Sequence, residues 1–358
     1  MDRSPSTATP SSRVWSAPGK VFLLGEYAVL AGAPALVAAL PPRFRLSRQP
    51  FPSAVETLFH PESPAGRWCR AHAVSFAWQF SDHTRGTGGF GASTAQFLLA
   101  AASEGRDDWR SLWTEYRSLH AGVSGIPPSG ADLVAQTLGG VVEFHPSEKP
   151  EAFQRSGSLE RISIAVIQAS SQPGRKTATH SHLLELAPAV LERIRSELQP
   201  LLDRALPTFA RGDAPAFAAS LGLYAEILAR FDLEVAPARS DREAICAFPG
   251  ILGAKGTGAL QSDALIAVFD TARLDLPAFR AFLAGRGLVV RYGTTTVLNE
   301  LDITVSAREC LAIRGANGSG RTTLLEVLGC ARPPSQGAIH LGDANHCRER
   351  IPSGIRQS

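Results

Sequence analysis

Twenty residues near the N-terminus, VFLLGEYAVLAGAPALVAAL from Val21 to Leu40, limit most strongly what this chain can become. The run has the length of a membrane-spanning helix. Its composition does not match, because Glu26 puts a carboxylate inside it and Gly25, Gly32 and Pro34 punctuate it. A charge at bilayer depth costs about 3 kcal/mol on insertion scales. A signal peptide is excluded too, since its apolar core needs about 7 to 15 unbroken residues and this run breaks at Gly25. What remains is a buried strand, a turn and a second strand.

The rest of the composition fits that beginning. With 358 residues, 44% apolar and 19% charged, the chain can bury a sizeable core, and roughly 150 residues per domain allows two or three compact units. The net charge is only +3 and no long basic run occurs, so no nucleic-acid footprint and no membrane insertion are expected. Small anionic molecules remain as the partner class. Cys69, Cys246, Cys310, Cys330 and Cys347 are scattered without CxxC spacing, which argues against a disulfide framework or structural zinc and fits a reducing cytoplasm.

Residues 1–13, MDRSPSTATPSSR, read as a disordered leader. From 14 to about 160, short apolar strands alternate with helical stretches, among them ASTAQFLLAAASE (92–104) and a second from Trp109 to Ala121. From 161 to 288 the chain reads strand RISIAVIQAS, long amphipathic helices in SHLLELAPAVLERIRSELQPLLDRAL and DAPAFAASLGLYAEILARF, a turn at GAKGTGALQSD, strand ALIAVF and helix LPAFRAFLAGRG. That order predicts two packed α+β units. Residues 289–358 change character again.

Three segments carry residues suited to phosphoryl transfer, which needs backbone N–H groups for phosphates, cations for developing charge, and a group that orients or deprotonates the attacking hydroxyl. In TGGFGASTAQ, Gly88, Gly89 and Gly91 allow close backbone approach, and Ala92, Ser93 and Thr94 open a helix whose N-terminus offers free N–H groups. Ser93 either caps that helix or presents its hydroxyl to a magnesium ion. Taken alone, such a match is better explained as a tight turn before a core helix. Lys20, after Pro18 and Gly19, reads alone as a solvated strand-edge lysine. Glu26 reads as a buried ion-pair partner. In SGADLVAQTLGG, Ser129 or Asp132 is placed to cap a helix.

Taken in order, SAPGKVFLLGEYAVLAG, TGGFGASTAQ with SGADLVAQTLGG, and GAKGTGALQSDALIAVF resemble the three motifs of the GHMP kinase superfamily, over about residues 14–288. The resemblance implies a two-domain α+β fold: an N-terminal ribosomal-protein-like βαβ domain over 14–160 and a C-terminal ferredoxin-like domain over 161–288. It implies ATP and Mg²⁺ as cofactors and a small-molecule acceptor. Asp132 would be the catalytic base, paired with Lys20, which also stabilises the transferring phosphate. Gly88, Gly89, Gly91, Ala92, Ser93 and Thr94 would hold the nucleotide, with Ser93 on the metal. Lys255, Gly256, Thr257 and Gly258 would form a third turn closing over the phosphates. Lys20, Glu26, Ser129, Asp132 and Thr177 (or Thr179) would face the acceptor.

Two departures stand out. Leu260, Gln261 and Ser262 replace a run of glycines, and Ala121, beside His120, stands where many mevalonate kinases carry a magnesium-binding glutamate. GEYAVLAG favours the mevalonate and phosphomevalonate branches over galactokinases, and Arg175 and Lys176 suit a phosphorylated acceptor or are simply a solvated basic loop. The expected activity is transfer of the γ-phosphate to mevalonate or a related acceptor. Phosphomevalonate kinase and a GHMP-fold binding protein without turnover are the alternatives.

Residues 289–343 resemble the start of an ABC-type ATPase. Tyr292 stands at the adenine-stacking position, and Gly315, Gly320, Arg321 and Thr322 form a degenerate P-loop within an incomplete P-loop α/β fragment. Arginine keeps the lysine's charge but not its compact ammonium. No LSGGQ-like signature and no strand ending in Asp-Glu follow. The segment reads as a fusion remnant or a junction between coding sequences, and an ABC-type ATPase is the least favoured function.

Overall fold

The computed structural model describes residues 14–48, 59–73, 78–82, 89–119, 126–169 and 187–293, with short pieces at 324, 328, 338–341, 344–348 and 356–357. The leader, Gly88, His120, Ala121, Arg175, Lys176, Thr177, Thr179 and the P-loop residues Gly315, Gly320, Arg321 and Thr322 lie outside these residues. Contacts divide the chain into one unit of residues 1–293 with 353–358 and another of 294–352.

The apolar run folds as a strand, a turn and a strand. β1 (Val14–Leu24) and β2 (Ala35–Arg48) pair antiparallel, with Val21 opposite Ala38 and Phe22 opposite Val37. Gly25, Tyr27 and Gly32 take positive φ in the connection, and a 3-10 turn spans Ala28–Ala31. Leu36 and Val37 are consecutive and both fully buried, so both faces of this strand are covered. β3 (Trp78–Ser81) and β4 (Val141–His145) pair with β2, and β5 (Glu151–Gln154) pairs with β4. On the outer side of β1, β12 (Arg356–Gln357) lies opposite Trp15 and Ser16.

Four helices belong to this half: α1 (Pro64–Ala71), α2 (Ala92–Ser103), α3 (Trp109–Ser118) and α4 (Ala131–Leu138). α2 and α4 pack on β1 and β2. α2 is almost wholly buried over Thr94–Ala101 apart from Gln96, as expected of a helix apolar on every side. α3 begins at Asp108, whose carboxylate accepts the Ser111 N–H at 2.9 Å.

The second sheet contains β6 (Ser163–Ala169), β7 (Ile251–Thr257), β8 (Ala264–Phe269) and β9 (Leu288–Gly293). Its order, β7-β8-β6-β9, is antiparallel throughout. In chain order that is 2-3-1-4, the ferredoxin-like arrangement expected. Between β6 and β7 come α5 (Pro188–Arg211), α6 (Ala214–Arg230) and α7 (Ala236–Cys246), and α8 (Leu276–Gly285) joins β8 to β9. β9 runs on through Arg291–Gly293, so the backbone of Tyr292, expected to open an ATPase-like segment, is paired with Val166 instead. In the 294–352 unit, β10 (Ala338–Leu341) and β11 (Ala344–Arg348) form a hairpin.

Candidate active site

The first turn of α2 starts at Gly91, left-handed at φ 82, and no side chain caps it. Its leading N–H groups therefore face outward without an internal acceptor, and Ser93 is exposed in that turn. The capping alternative for Ser93 does not hold, because Gly91 occupies the N-cap position. A side chain at Gly91 would strike the Lys20 Cγ at 2.8 Å. The stem of Lys20 thus lies against this turn, and its backbone N–H donates to Phe90 O at 3.0 Å.

α4 begins in a similar way, with Gly130 left-handed at its N-cap. Neither Ser129 nor Asp132 is the N-cap residue; Ser129 Oγ accepts the Ala131 N–H at 3.3 Å. Trp113 packs over Gly130 and donates from Nε1 to Ser129 O at 2.8 Å. The turn is thereby fixed, and it holds Asp132 in the first turn of α4, partly exposed.

Asp132 and Lys20 were expected to pair. Among the described residues no ion pair joins them. The Lys20 ammonium lies 5.1 Å from the centre of the Phe22 ring, two residues along the same strand face. Asp132 Oδ2 accepts from Thr94 Oγ1 at 2.7 Å, and Oδ1 from the Leu133 N–H at 2.9 Å. Thr94, expected among the nucleotide-holding residues, is 3% exposed and spends its hydroxyl proton on Asp132.

Gln136, one turn beyond Asp132, connects the three segments. Its Nε2 donates to Pro18 O at 2.6 Å and to Gly91 O at 3.2 Å. The sequence reading missed it, although its position four residues after Asp132 places it on the same helix face.

The third motif differs from expectation at every position but its last. Lys255, Gly256 and Thr257 are not turn residues; they end β7, buried and paired with Ile266, Leu265 and Ala264. Lys255 is fully buried and its Nζ meets Glu26 Oε1 at 2.5 Å, while Glu26 itself is 6% exposed. Burial pulls the Lys255 ammonium below its ordinary range, against the opposing pull of Glu26. Tyr224 OH donates to Glu26 O at 2.6 Å. Burial raises that phenol well above its ordinary value.

The turn proper runs from Gly258 (φ 87) through Leu260 and Gln261, both non-glycine residues at positive φ, 53 and 59. Two of the three residues standing where the resemblance implies glycines thus hold the left-handed backbone that glycine favours, while Ser262, at φ -93, does not. Leu260 is held there by its N–H to Tyr27 OH at 2.7 Å and by its carbonyl, which accepts the Val235 N–H at 3.1 Å. Asp263, which sequence reasoning also missed, closes the turn. Its carboxylate would lie 2.0 Å from a Cβ on Gly258 and 2.9 Å from one on Gly89, so it joins the second and third motifs. Its signal was an acidic residue immediately after a degenerate glycine run.

Comparison with known proteins gives two results. Residues 298–356 match the ABC transporter family. Among curated proteins, the Nod factor export ATP-binding protein I of Cupriavidus pinatubonensis is 38% identical over 87 residues, which cover 24% of this chain and 25% of that protein. The chain thus spans about a quarter of that relative's length. Among solved structures, the phosphomevalonate kinase of Streptococcus pneumoniae has a TM-score of 0.61 at 15% identity, covering 79% of this chain and 98% of its own. The galactokinase of Lactococcus lactis, complexed with galactose, scores 0.63 at 14%, covering 80% and 94%. The mevalonate kinase of Methanococcus jannaschii scores 0.61 at 14%, covering 80% and 98%. The chain therefore has the GHMP kinase fold.

Proposed function

We propose that this chain is an ATP-dependent small-molecule kinase acting in the cytoplasm on mevalonate or a related acceptor. The observation that carries the reading is the 2.7 Å bond from Thr94, in the first turn of α2, to Asp132, in the first turn of α4. It sets a partly exposed carboxylate directly beside an uncapped, glycine-led helix start. Such a start suits phosphate, through free N–H groups and the positive dipole end. Fold similarity does not favour the mevalonate-pathway kinases, at TM-scores of 0.61, over the galactokinase, at 0.63, so the preference for a mevalonate-like acceptor rests on GEYAVLAG.

The residues present suit the nucleotide and its metal. Gly89 and Gly91 take positive φ, and a Cβ at either would strike a neighbour. Ser93 and Asp263 offer oxygen donors of the kind magnesium takes. Among the described residues no cluster of three or more His, Cys, Asp or Glu could hold a metal, so nucleotide phosphates would complete the shell. When bound, Mg²⁺–ATP supplies the phosphoryl group and screens its charge. Gly89, Gly91 and the start of α2 would orient the triphosphate. Asp132 would accept the hydroxyl proton of the acceptor, and Lys20, its stem against Gly91, would stabilise charge on the transferring phosphate. No helix among the described residues is long and apolar enough to cross a membrane.

The buried Lys255 and the separation of Lys20 from Asp132 favour a second reading, a binding protein without turnover. Coupled ADP release with mevalonate, phosphomevalonate and galactose separates the two. Turnover with one acceptor, reduced about 10²- to 10⁴-fold in Asp132→Asn, supports the kinase. ATP binding without ADP release on any acceptor supports the binding protein.

A further inference from the structure

We infer that Thr94 is the positioning residue for Asp132, and that through it the phosphate-binding turn of α2 sets the orientation of the base. The inference rests on the kinase reading above and adds a residue that composition and motif gave to the nucleotide.

A threonine hydroxyl has one proton. Directed at Asp132 Oδ2 at 2.7 Å, that proton is not available to any other acceptor. Tyr116 OH lies 3.4 Å from Thr94 Oγ1 in the buried side of the site, and since Thr94 already donates, Tyr116 must donate to it. Burial, with the charge of Asp132 adding to it, pushes the Tyr116 phenol far above its ordinary value, so it remains a protonated donor. The chain of donors runs one way: Tyr116 to Thr94 to Asp132. The Leu133 N–H holds the other carboxylate oxygen at 2.9 Å.

Two donors, one to each oxygen, fix rotation of the carboxylate, because turning it about Cβ–Cγ breaks both bonds. Each oxygen accepts one of these bonds and has a second lone pair for an acceptor hydroxyl. Thr94 sits three residues after Gly91, in the same helical turn whose N–H groups face outward. A shift of that turn as the triphosphate docks therefore moves the Thr94 hydroxyl and, with it, Asp132. Lys20 does not carry this duty, since its ammonium lies over Phe22.

The test uses the full chain with the acceptor it turns over. Thr94→Val keeps the shape and removes the hydroxyl. We expect kcat to fall about 10- to 100-fold, the loss typical of a misplaced catalytic group, with KM for ATP and acceptor within about twofold. Thr94→Ser should restore kcat to within about threefold of the original. In an Asp132→Asn background Thr94→Val should cost nothing further, because the two residues act as one unit. Thr94→Ala provides the same measurement should the valine variant fail to fold. A Thr94→Val chain with unchanged kcat overturns the inference while leaving the kinase reading intact. So does a raised KM for ATP at constant kcat, which would return Thr94 to nucleotide binding. An original chain that turns over none of the acceptors overturns both.

Discussion

Asp263 is pressed between two glycines from different motifs, and the contact makes Gly258 hard to replace. At φ 87 an L-residue costs of order 1–3 kcal/mol in backbone strain, and its Cβ would also lie 2.0 Å from Asp263 Oδ2. Gly258→Ala should therefore lower stability in chemical denaturation by more than the backbone strain of about 1–3 kcal/mol alone. Adding Asp263→Ala should recover the steric share and leave the backbone share. Full recovery in the double variant would show that strain at Gly258 is negligible. The Glu26–Lys255 pair behaves differently, because both groups are buried and Glu26 Oε2 has no hydrogen-bond partner among the described residues. Removing one partner leaves a buried charge alone, so Lys255→Met should destabilise by about 3–5 kcal/mol. Glu26→Gln with Lys255→Met should recover most of that loss, as measured by urea unfolding. A double variant no better than the single one would show that the two charges do not depend on each other.

Elements differ in how openly the sequence announces them. α5 and α6 were plain from leucine and isoleucine at three- and four-residue spacing, because each has one core face. α7 carries no clear helical signal in the sequence. Of its eleven residues only Ala238, Asp241, Arg242 and Ile245 are buried, two of them charged, so its apolar stripe is too thin to recognise. The site was legible in part for a similar reason. Glycine and the SGAD aspartate stand out by type, whereas the partners of Asp132 and of Lys255 depend on how distant segments dock, which spacing along one strand or helix does not encode. The β4–β5 edge carries such a hidden pairing. Glu143 accepts from Arg155 Nε and lies by His145 Nε2, each at 2.8 Å. Burial alone would raise its carboxyl, but those two hydrogen bonds outweigh it and hold the group below its ordinary 4.5. A depressed folded value means the unfolded chain binds more protons in that window, so stability falls as pH drops below about 4.5. Glu143→Gln should thus cost about 1 kcal/mol at pH 7, and the gap to the original chain should close as pH falls from 5 to 3. A gap that stays constant over that range would mean the carboxylate charge contributes nothing.

For the whole molecule, the two nucleotide-like signatures belong to different units, one in residues 1–293 with 353–358 and the other in 294–352. The apparent junction in the sequence, after Leu288, falls inside a strand. β9 continues to Gly293 and pairs Val289, Val290, Tyr292 and Gly293 with β6. A chain ending at Leu288 keeps only the Leu288–Ala169 pair of that ladder and leaves one side of β6 unpaired, a template for aggregation. A chain ending at Gly293 keeps the four-stranded sheet and loses β12, which pairs with only Trp15 and Ser16 of β1. The two truncations should therefore separate. The one at Gly293 should melt cooperatively by circular dichroism and retain ADP release with the acceptor, while the one at Leu288 should aggregate or melt at markedly lower temperature. In the full chain, Arg321→Ala should leave acceptor-dependent ADP release within about twofold of the original, the range of substitutions that touch no transition-state contact. Loss of that activity in Arg321→Ala, together with its loss in both truncations, would move the chemistry out of the glycine-rich turn beside Asp132 and into the terminal segment.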